Sequence, residues 1–455
     1  MTKAELTQRV WEQIDRRAAD IVRIGDTIRR HPELGFKETR TARLVADTLL
    51  RLGLSPRTGL AYTGVRADVA GRRGAGPTFA LIGELDALVV AGHPEADPTT
   101  GAVHACGHNA QVAGLLGAAM GLVETGAFDH LAGRVAFFAV PAEEGGDLEW
   151  RLSEARDGRL EFFGGKAELM RLGHFDDVDL AMMIHTTPRA EDGKASVPLS
   201  NNGRVGKVAR YVGRAAHAGS APYNGVNALY AAQIGLMGIN AIRETLQDDD
   251  TVRIHPVLTH GGSQVNVIPG EARIQTYVRG RTLDAIVEAN ARVDRALRAG
   301  ALALGARVEI DTLPGYLPLA CDATMAGLFR DTAHALVGAE HYRELGHRTG
   351  STDMGDLSQV IPVLHPYMGG ARGSGHGPDY EIVDEQLAYV APAKALAAMA
   401  VDLLWEDAAG AREVLARATP RLTREDYLAL QRGMGRREVY DGTVSAGASG
   451  KETRS

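Results

Sequence analysis

Cysteine is scarce in this chain of 455 residues: only Cys106 and Cys321 occur, which argues against a disulfide framework and leaves at least one thiol for other chemistry. Positive charge is not in surplus either. Fifty Lys and Arg face 57 Asp and Glu, a formal net charge of −7 with His neutral and a sequence pI near 6.1, so nucleic acid is not expected as a partner. The sequence also lacks the ~20 consecutive apolar residues of a membrane span, and its first residues alternate charges where a signal peptide has an apolar core. The resulting expectations are a cytoplasmic location and no membrane partner. What is plentiful is glycine, with 54 residues, and histidine, with 15. The hydrophobic share of 45% and charged share of 24% are those of a globular protein. At roughly 100–200 residues per domain, the length predicts two or three units with ample core.

Apolar residues at Leu6, Val10, Ile14, Ala18, Ile21, Ile24 and Ile28 recur every three to four positions, which predicts one amphipathic helix from Glu5 to about Arg30. His31-Pro32 ends it, because proline disfavours helical geometry at the preceding residue. A second helix is expected over Glu38–Leu52. Apolar runs such as Phe79–Ile82 then alternate with helices, the texture of an α/β fold with a buried, largely parallel sheet. The run Val135–Val140 reads as a buried strand that passes Pro141 into Ala142-Glu143-Glu144-Gly145-Gly146, and Leu180–Ile184 runs likewise into His185. In open α/β sheets, sites gather beyond the carboxyl ends of strands.

Around Ser196 to Val205 the texture changes. Strands are expected at Gly206–Gly213, Arg253–Leu258, Glu271–Val278 and Val308–Asp311, with helices at Val226–Thr245 and Leu283–Leu304. That β-α-β-β-α-β order is ferredoxin-like and reads as a small domain inserted into the larger one. The expected boundaries are 1–202 and 314–440 for the discontinuous larger domain and 203–313 for the insertion. Residues 441–455 form a Gly/Ser-rich tail with too little apolar content to fold.

Three segments could carry chemistry. His104-Ala105-Cys106-Gly107-His108-Asn109 precedes a helix over about Val112–Val123, and a Cys and a His two apart can point at one ion; thiolate plus imidazole suits zinc and the other borderline metals. The same spacing also arises as a buried thiol beside a helix-capping pair. Glu143-Glu144 at a strand exit can divide labour, one carboxylate binding metal while its neighbour moves protons, or can be a solvated acidic turn. His185 and His376 each sit on a strand-terminal or Gly-rich loop, where a single histidine is more often structural. Jointly these groups make a mixed N/O/S donor set large enough for one or two metal ions. Gly107, Gly145, Gly146, Gly375 and Gly377 flank them, where a missing side chain would let backbone turn tightly beside an ion.

These segments resemble the M20 metallopeptidase and amidohydrolase family, in the aminoacylase-like branch that includes hippurate, auxin-conjugate and p-aminobenzoyl-glutamate hydrolases. The matching stretches are His31–Phe36, Glu84–Leu88, His104–Asn109, Pro141–Glu144, His185, Gly213–Pro222, Asn266–Pro269, Ser351–Asp356 and His376–Glu385, in order along nearly the whole chain. The resemblance implies a phosphorylase/hydrolase-like zinc-peptidase catalytic domain, with the insertion as a dimerisation or lid domain. It implies Cys106, His108, Glu144, His185 and His376 as metal ligands, and Glu143 as the general base that activates water and then protonates the leaving amine. It implies His217 as the lid histidine that stabilises the developing oxyanion in a partner subunit's site, and Asn266 and Arg279 as contacts for a substrate carboxylate. Implied cofactors are one or two divalent transition-metal ions per subunit, manganese or zinc before cobalt or nickel. Implied partners are a small-molecule substrate with a carboxylate and a second copy of the chain, as a homodimer or higher homo-oligomer through the lid.

The sequence departs from that pattern in places. Asn109 stands where most of the branch has Asp, and Gln111 where a His is common. Ser351–Asp356 replaces a Ser-Glu-Asp-Phe type segment. Glu84 sits where other M20 branches have a ligand His, which leaves Asp86 an indirect, supporting role. An Asn at 109 neither takes up a proton nor balances metal charge as Asp would, which bears on metal identity. Asn109 and the Ser-Thr-Asp segment resemble the p-aminobenzoyl-glutamate hydrolase and dipeptidase-like subgroup. The expected function is metal-dependent hydrolysis of the amide bond of an N-acyl or N-aroyl amino acid or small peptide-like amide. Deamination of an aromatic amine such as a substituted aminobenzoate is the alternative within enzymes, and a non-catalytic metal-binding scaffold is the alternative outside them. Cys321 is left to packing.

Overall fold

The computed structural model describes residues 1–443; the expected tail lies, from residue 444 on, outside the described residues. The chain divides into two compact units. The first comprises residues 1–200, 319–348 and 352–424, and the second, among the described residues, 201–318, 349–351 and 425–443.

The first unit is built on a six-stranded mixed sheet in the order Arg57–Leu60, Gly64–Ala70, Arg134–Val140, Thr78–Glu84, Leu180–Met182, Val363–Leu364. The pairings around Thr78–Glu84 and beyond it are parallel, whereas those involving Gly64–Ala70 are antiparallel. The sheet is therefore less uniformly parallel than the apolar runs suggested. Every residue of Thr78–Glu84 is buried, as expected of a central strand covered on both faces. Helix His108–Glu124 is buried along nearly its whole length. Its small residues Gly114, Gly117 and Gly121 lie against Pro392, Ala393, Ile21 and Ile14, so neighbouring helices approach closely. The segment Gln386–Leu404 is the one helix among the described residues long and apolar enough to cross a membrane. Its residues belong to the same core cluster, which accounts for their apolarity.

The single helix expected over Glu5–Arg30 is two, Lys3–Arg16 and Ala18–Arg29, broken at Arg17 (φ −94°, ψ 1°). The apolar positions on either side of the break still bury into one core, so the periodicity conceals it. Helix Thr39–Arg51 follows. The strand at Leu180 stops at Met182, and His185–Thr186 pairs instead in a second sheet with Tyr367–Met368.

The second unit has the expected β-α-β-β-α-β order. Its antiparallel sheet runs Arg253–Ile254, Glu271–Gly280, Gly203–Val212, Arg307–Tyr316, with Val257–His260 also paired to Glu271–Gly280. Helices Ala228–Ile242 and Leu283–Leu304 share its core. Burial alternates strictly along Glu271–Gly280, the period-two pattern of a strand with one face on helices. The insertion is wider than expected, residues 201–318, and a segment assigned by sequence to 314–440 joins it. Strand Arg436–Asp441 adds to the sheet edge beside Arg307–Tyr316, because the free backbone groups of that edge accept a partner from far along the chain.

Candidate metal centre

Four elements of the first unit deliver the candidate site. Cys106 and His108 enter helix His108–Glu124 through Gly107, which has φ 88°; a Cβ there would lie 2.0 Å from Thr186 Oγ1 and 2.5 Å from Tyr380 Oη. Only glycine fits that turn. Gly146 and Gly375, expected to serve likewise, have no described heavy atom within 4 Å of a Cβ position, so the tight-turn argument holds at Gly107 and not at those two. Glu143 and Glu144 follow the buried strand Arg134–Val140 through Ala142, a non-glycine residue at φ 54°. His185 begins its short strand. His376 arrives on the loop after Arg372, itself at φ 62°, with its N–H donating to Ala105 O at 2.9 Å. Left-handed backbone at non-glycine positions is strained, and the two instances here lie beside the same cluster.

Cys106 Sγ is 3.3 Å from His185 Nε2 and 3.3 Å from His376 Nε2, and His376 Nε2 is 3.2 Å from Glu144 Oε1. Donor atoms of Cys106, His108 and His185 lie within 4.8 Å of one another, as do those of Cys106, Glu144 and His376, and those of Glu84, His108 and Glu143. Supporting bonds fix the rings. His108 Nδ1 faces Asp86 O at 2.9 Å and Asp86 Oδ1 at 3.2 Å, and Asp86 Oδ2 accepts from Glu144 N–H at 2.7 Å. One carboxylate therefore orients both an imidazole and the backbone of Glu144, the indirect role expected of Asp86. His185 Nδ1 is 2.7 Å from Thr186 O.

The electrostatics are those of a crowded acidic pocket with basic rings. Burial and Glu144 would raise the Cys106 thiol, but His185, His108 and His376 outweigh them and bring it down to about 5, so it stands as a thiolate at neutral pH. Burial raises Glu143 well above the carboxylate range, helped by Glu84 and Glu144. Glu144 moves the other way: burial opposes its ionisation, and His376 overrides it. These donors fit a metal ion. A thiolate, imidazoles and carboxylates converge, and His108 Nε2 is buried with no hydrogen-bond partner among the described residues.

Residues 80–400 match the family model described as peptidase family M20/M25/M40. The chain belongs to that family. It is 29% identical to the Xaa-Arg dipeptidase of Mus musculus over 426 residues, 89% of this chain and 90% of that one. It is 30% identical to the N-acetyl-L-cysteine deacetylase of Bacillus subtilis over 326 residues, 68% of this chain and 71% of that one. Among solved structures, an aminobenzoyl-glutamate utilization protein from Klebsiella pneumoniae aligns with a TM-score of 0.64 at 20% identity, covering 87% of this chain and 98% of that one. A dinuclear metal binding peptidase of the M20 family from Bacillus subtilis aligns at 0.61 and 21%, covering 86% and 99%. At such identities the structural likeness is one of fold. The chain is a hydrolase of the M20 family.

The departures from the M20 pattern sort into two groups. Asn109 is turned to the helix packing: its Nδ2 donates to Gly25 O at 3.3 Å and to Tyr389 Oη at 3.1 Å. The side chain thus serves the helix seam. Gln111, Glu84 and Asp353 instead form one network with a residue that sequence reasoning missed, Lys166. Lys166 Nζ is 2.5 Å from Glu84 Oε1 and 2.5 Å from Asp353 Oδ1, while Gln111 Nε2 donates to Glu84 Oε2 at 2.8 Å. All four side chains are buried. Two further residues were missed. Arg151 is buried and donates through Nη2 to Glu144 O at 2.6 Å, holding the carboxylate loop. His365 is buried against His185, ring centroids 5.9 Å apart, and burial pushes it down to about 3, so it is a neutral neighbour.

The remaining expected site residues lie in the second unit. His217 is exposed on the short strand Ala216–His217, opposite Val267, and its Nδ1 accepts from Gly219 N–H at 3.2 Å and Ser220 N–H at 3.1 Å. Asn266 is held beside it, its carbonyl accepting from Ala218 N–H at 3.0 Å. Arg279 sits on a different element, strand Glu271–Gly280, opposite Arg204 and with its guanidinium 5.7 Å from the Tyr277 ring centre.

Proposed function

We propose that the protein hydrolyses the amide bond of an N-acyl or N-aroyl amino acid, or of a small peptide-like amide, releasing a carboxylate and an amine. The observation that carries this reading is the convergence of Cys106, His108, Glu144, His185 and His376 beside Glu143. The names of relatives support a small amide: a dipeptidase, an IAA-amino acid hydrolase and an N-acetylcysteine deacetylase. One or two divalent ions, manganese or zinc, held by those five residues would supply Lewis-acid polarisation of the scissile carbonyl and a water that loses its proton near neutral pH. Glu143 takes the proton and delivers it to the leaving amine. Its high proton affinity, a consequence of burial among carboxylates, suits a group that must accept a proton and then hand it on.

His217 donates to the oxyanion in a partner subunit's site in this reading. Because its Nδ1 accepts two backbone N–H groups, the proton sits on Nε2, a tautomer assigned from those partners. Asn266 and Arg279 bind the substrate carboxylate, the guanidinium through its fork of donors. Self-association through the inserted unit belongs to the same reading and is supported by the exposed Tyr230 and Met237 on helix Ala228–Ile242 and by the exposed strand Val257–His260. The deciding variant is Glu143→Ala. It is expected to keep bound metal and lose roughly 10²- to 10⁴-fold in kcat on N-acyl amino acids, read by amine release. Full activity in that variant would remove Glu143 as the base.

A further inference from the structure

Glu38 is a buried acid that the hydrolytic reading leaves without a role. It stands at the N-cap of helix Thr39–Arg51, where a side chain usually satisfies the first free N–H groups, yet it makes no capping bond. Glu33 caps that helix from outside, accepting from Arg40 N–H at 3.0 Å and from Thr41 N–H at 2.9 Å. Glu38 reaches away from its own helix instead. Its Oε1 accepts from Ala142 N–H at 2.8 Å, and its Oε2 lies 2.6 Å from Thr63 Oγ1. In the corner where strand Thr78–Glu84 ends, the buried Glu84 and Asp353 share the ammonium of Lys166. Glu38 is bonded to a main-chain N–H and a hydroxyl, and a buried acid held without a cation is costly.

What Glu38 holds is a strained turn. Ala142 is buried at φ 54°, a left-handed conformation that a non-glycine residue keeps only when its surroundings over-determine it. Of the nine non-glycine residues with positive φ among those described, Phe36, Ala61, Tyr62 and Ala142 lie within two positions of Glu38 or of the residues it bonds. Strain gathered in this way marks a functional neighbourhood. Ala142 is pinned from its other side by Gly165 N–H, which donates to its carbonyl at 3.1 Å, and by Gly35, where a Cβ would lie 3.0 Å from Ala142 Cα. The next residue is Glu143, and after it Glu144 N–H donates to Asp86 Oδ2 at 2.7 Å. Two buried acids thus bracket Glu143, each through one main-chain N–H, Glu38 before it and Asp86 after it.

We propose that Glu38 is a positioning residue for the reaction: by holding Ala142 N–H it enforces the left-handed turn that sets the direction of Glu143. The inference rests on the reading of Glu143 as the base. The role requires one oxygen that accepts from Ala142 and one group bonded to Thr63. A Gln side chain supplies both, with its amide N–H turned to the threonine oxygen. Burial, with Asp86 nearby, raises the proton affinity of Glu38, and a neutral acid presents the same acceptor and donor as that amide. A Leu side chain fills the volume and supplies neither.

The test is steady-state hydrolysis of those N-acyl amino acids that wild type cleaves, with metal analysis of the same preparations of the full chain. Glu38→Leu is expected to lose about 10²-fold in kcat, the cost of a displaced catalytic group, with KM and metal content close to wild type. Glu38→Gln should stay close to wild type in all three. In an Ala142→Gly background the loss caused by Glu38→Leu should shrink by about 5- to 30-fold, the left-handed cost of a non-glycine residue read as a rate ratio. A purely structural residue would not show that rescue. Unchanged turnover in Glu38→Leu, metal lost in step with activity, or the same loss in both backgrounds would each overturn the proposal. Should Glu38→Leu fail to fold, the double variant decides: folded and active supports the proposal, unfolded or inactive refutes it. The two readings separate at Glu143→Ala. Full activity there removes the base and this inference together, whereas an inactive Glu143→Ala beside a fully active Glu38→Leu removes this inference alone.

Discussion

The two regions that hold the candidate catalytic groups are built on opposite principles. In the first unit, Glu84, His108, Lys166 and Asp353 are buried, and Glu84, Lys166 and Asp353 are tied to one another and to Gln111 by charged and polar side-chain bonds. In the second unit, His217 lies exposed on a short two-stranded ribbon with the exposed Asn266 next to its partner strand, and the His217 ring is oriented by backbone N–H groups. Buried charge is costly unless every partner is present, so function and stability are entangled in the first region. An exposed imidazole on a turn carries little folding energy. The difference implies that the same kind of substitution should read out differently in the two places: in the first through unfolding and metal binding, in the second through rate alone.

The largest effect on stability is expected at Lys166. Lys166→Met keeps the apolar stem and removes the ammonium, leaving Glu84 and Asp353 buried and facing each other without their shared cation. Removing one member of a buried pair typically costs about 3–5 kcal/mol. Denaturant unfolding of the chelated protein should show that loss as a lower midpoint with an unchanged slope. An unaltered midpoint would mean that the corner is not held by charge, and the contrast between the two regions would fail.

His217→Ala is the matching experiment on the other side. Loss of one donor to a developing oxyanion typically costs 10²- to 10³-fold in kcat, about 2.7–4 kcal/mol of barrier, while an exposed residue away from the core should leave stability within about 0.5 kcal/mol. Paired measurements of turnover and unfolding on one preparation check both halves. A stability loss comparable to that of Lys166→Met, or a rate unchanged from wild type, would break the comparison from its second side.

How much of this could be read from sequence follows the range of the interactions. The grouping of Cys106, His108, Glu144, His185 and His376 was legible because each sits at a strand exit or a glycine-marked loop, signals confined to a few neighbouring residues. The order of elements in the insertion was legible through period. Lys166 was not, since a lysine in Gly164-Gly165-Lys166-Ala167 looks like any helix-start lysine, and its partners lie 82 and 187 positions away. The one available hint was Glu84, a charge in an otherwise apolar strand, which demands a partner without saying which. Strand Arg436–Asp441 was missed for the same reason: its pairing partner begins at Arg307. The break at Arg17 escaped because both halves of the helix keep one apolar face.

The smallest expected effect is at Asn109, and it sharpens the boundary of the buried region. If this residue serves the helix seam, Asn109→Asp replaces the amide donor to Gly25 O with an acceptor, setting two acceptors against each other in a buried position. That should cost about 1–3 kcal/mol of stability. Metal stoichiometry and affinity should stay at wild-type values, because the side chain is bonded to Gly25 and Tyr389. The helix seam and the metal corner would then be separate neighbours on one helix, distinguished by two readouts from one variant. A change in metal affinity larger than the change in stability would instead put Asn109 inside the metal centre, and the charge at that position would again bear on which ion is held.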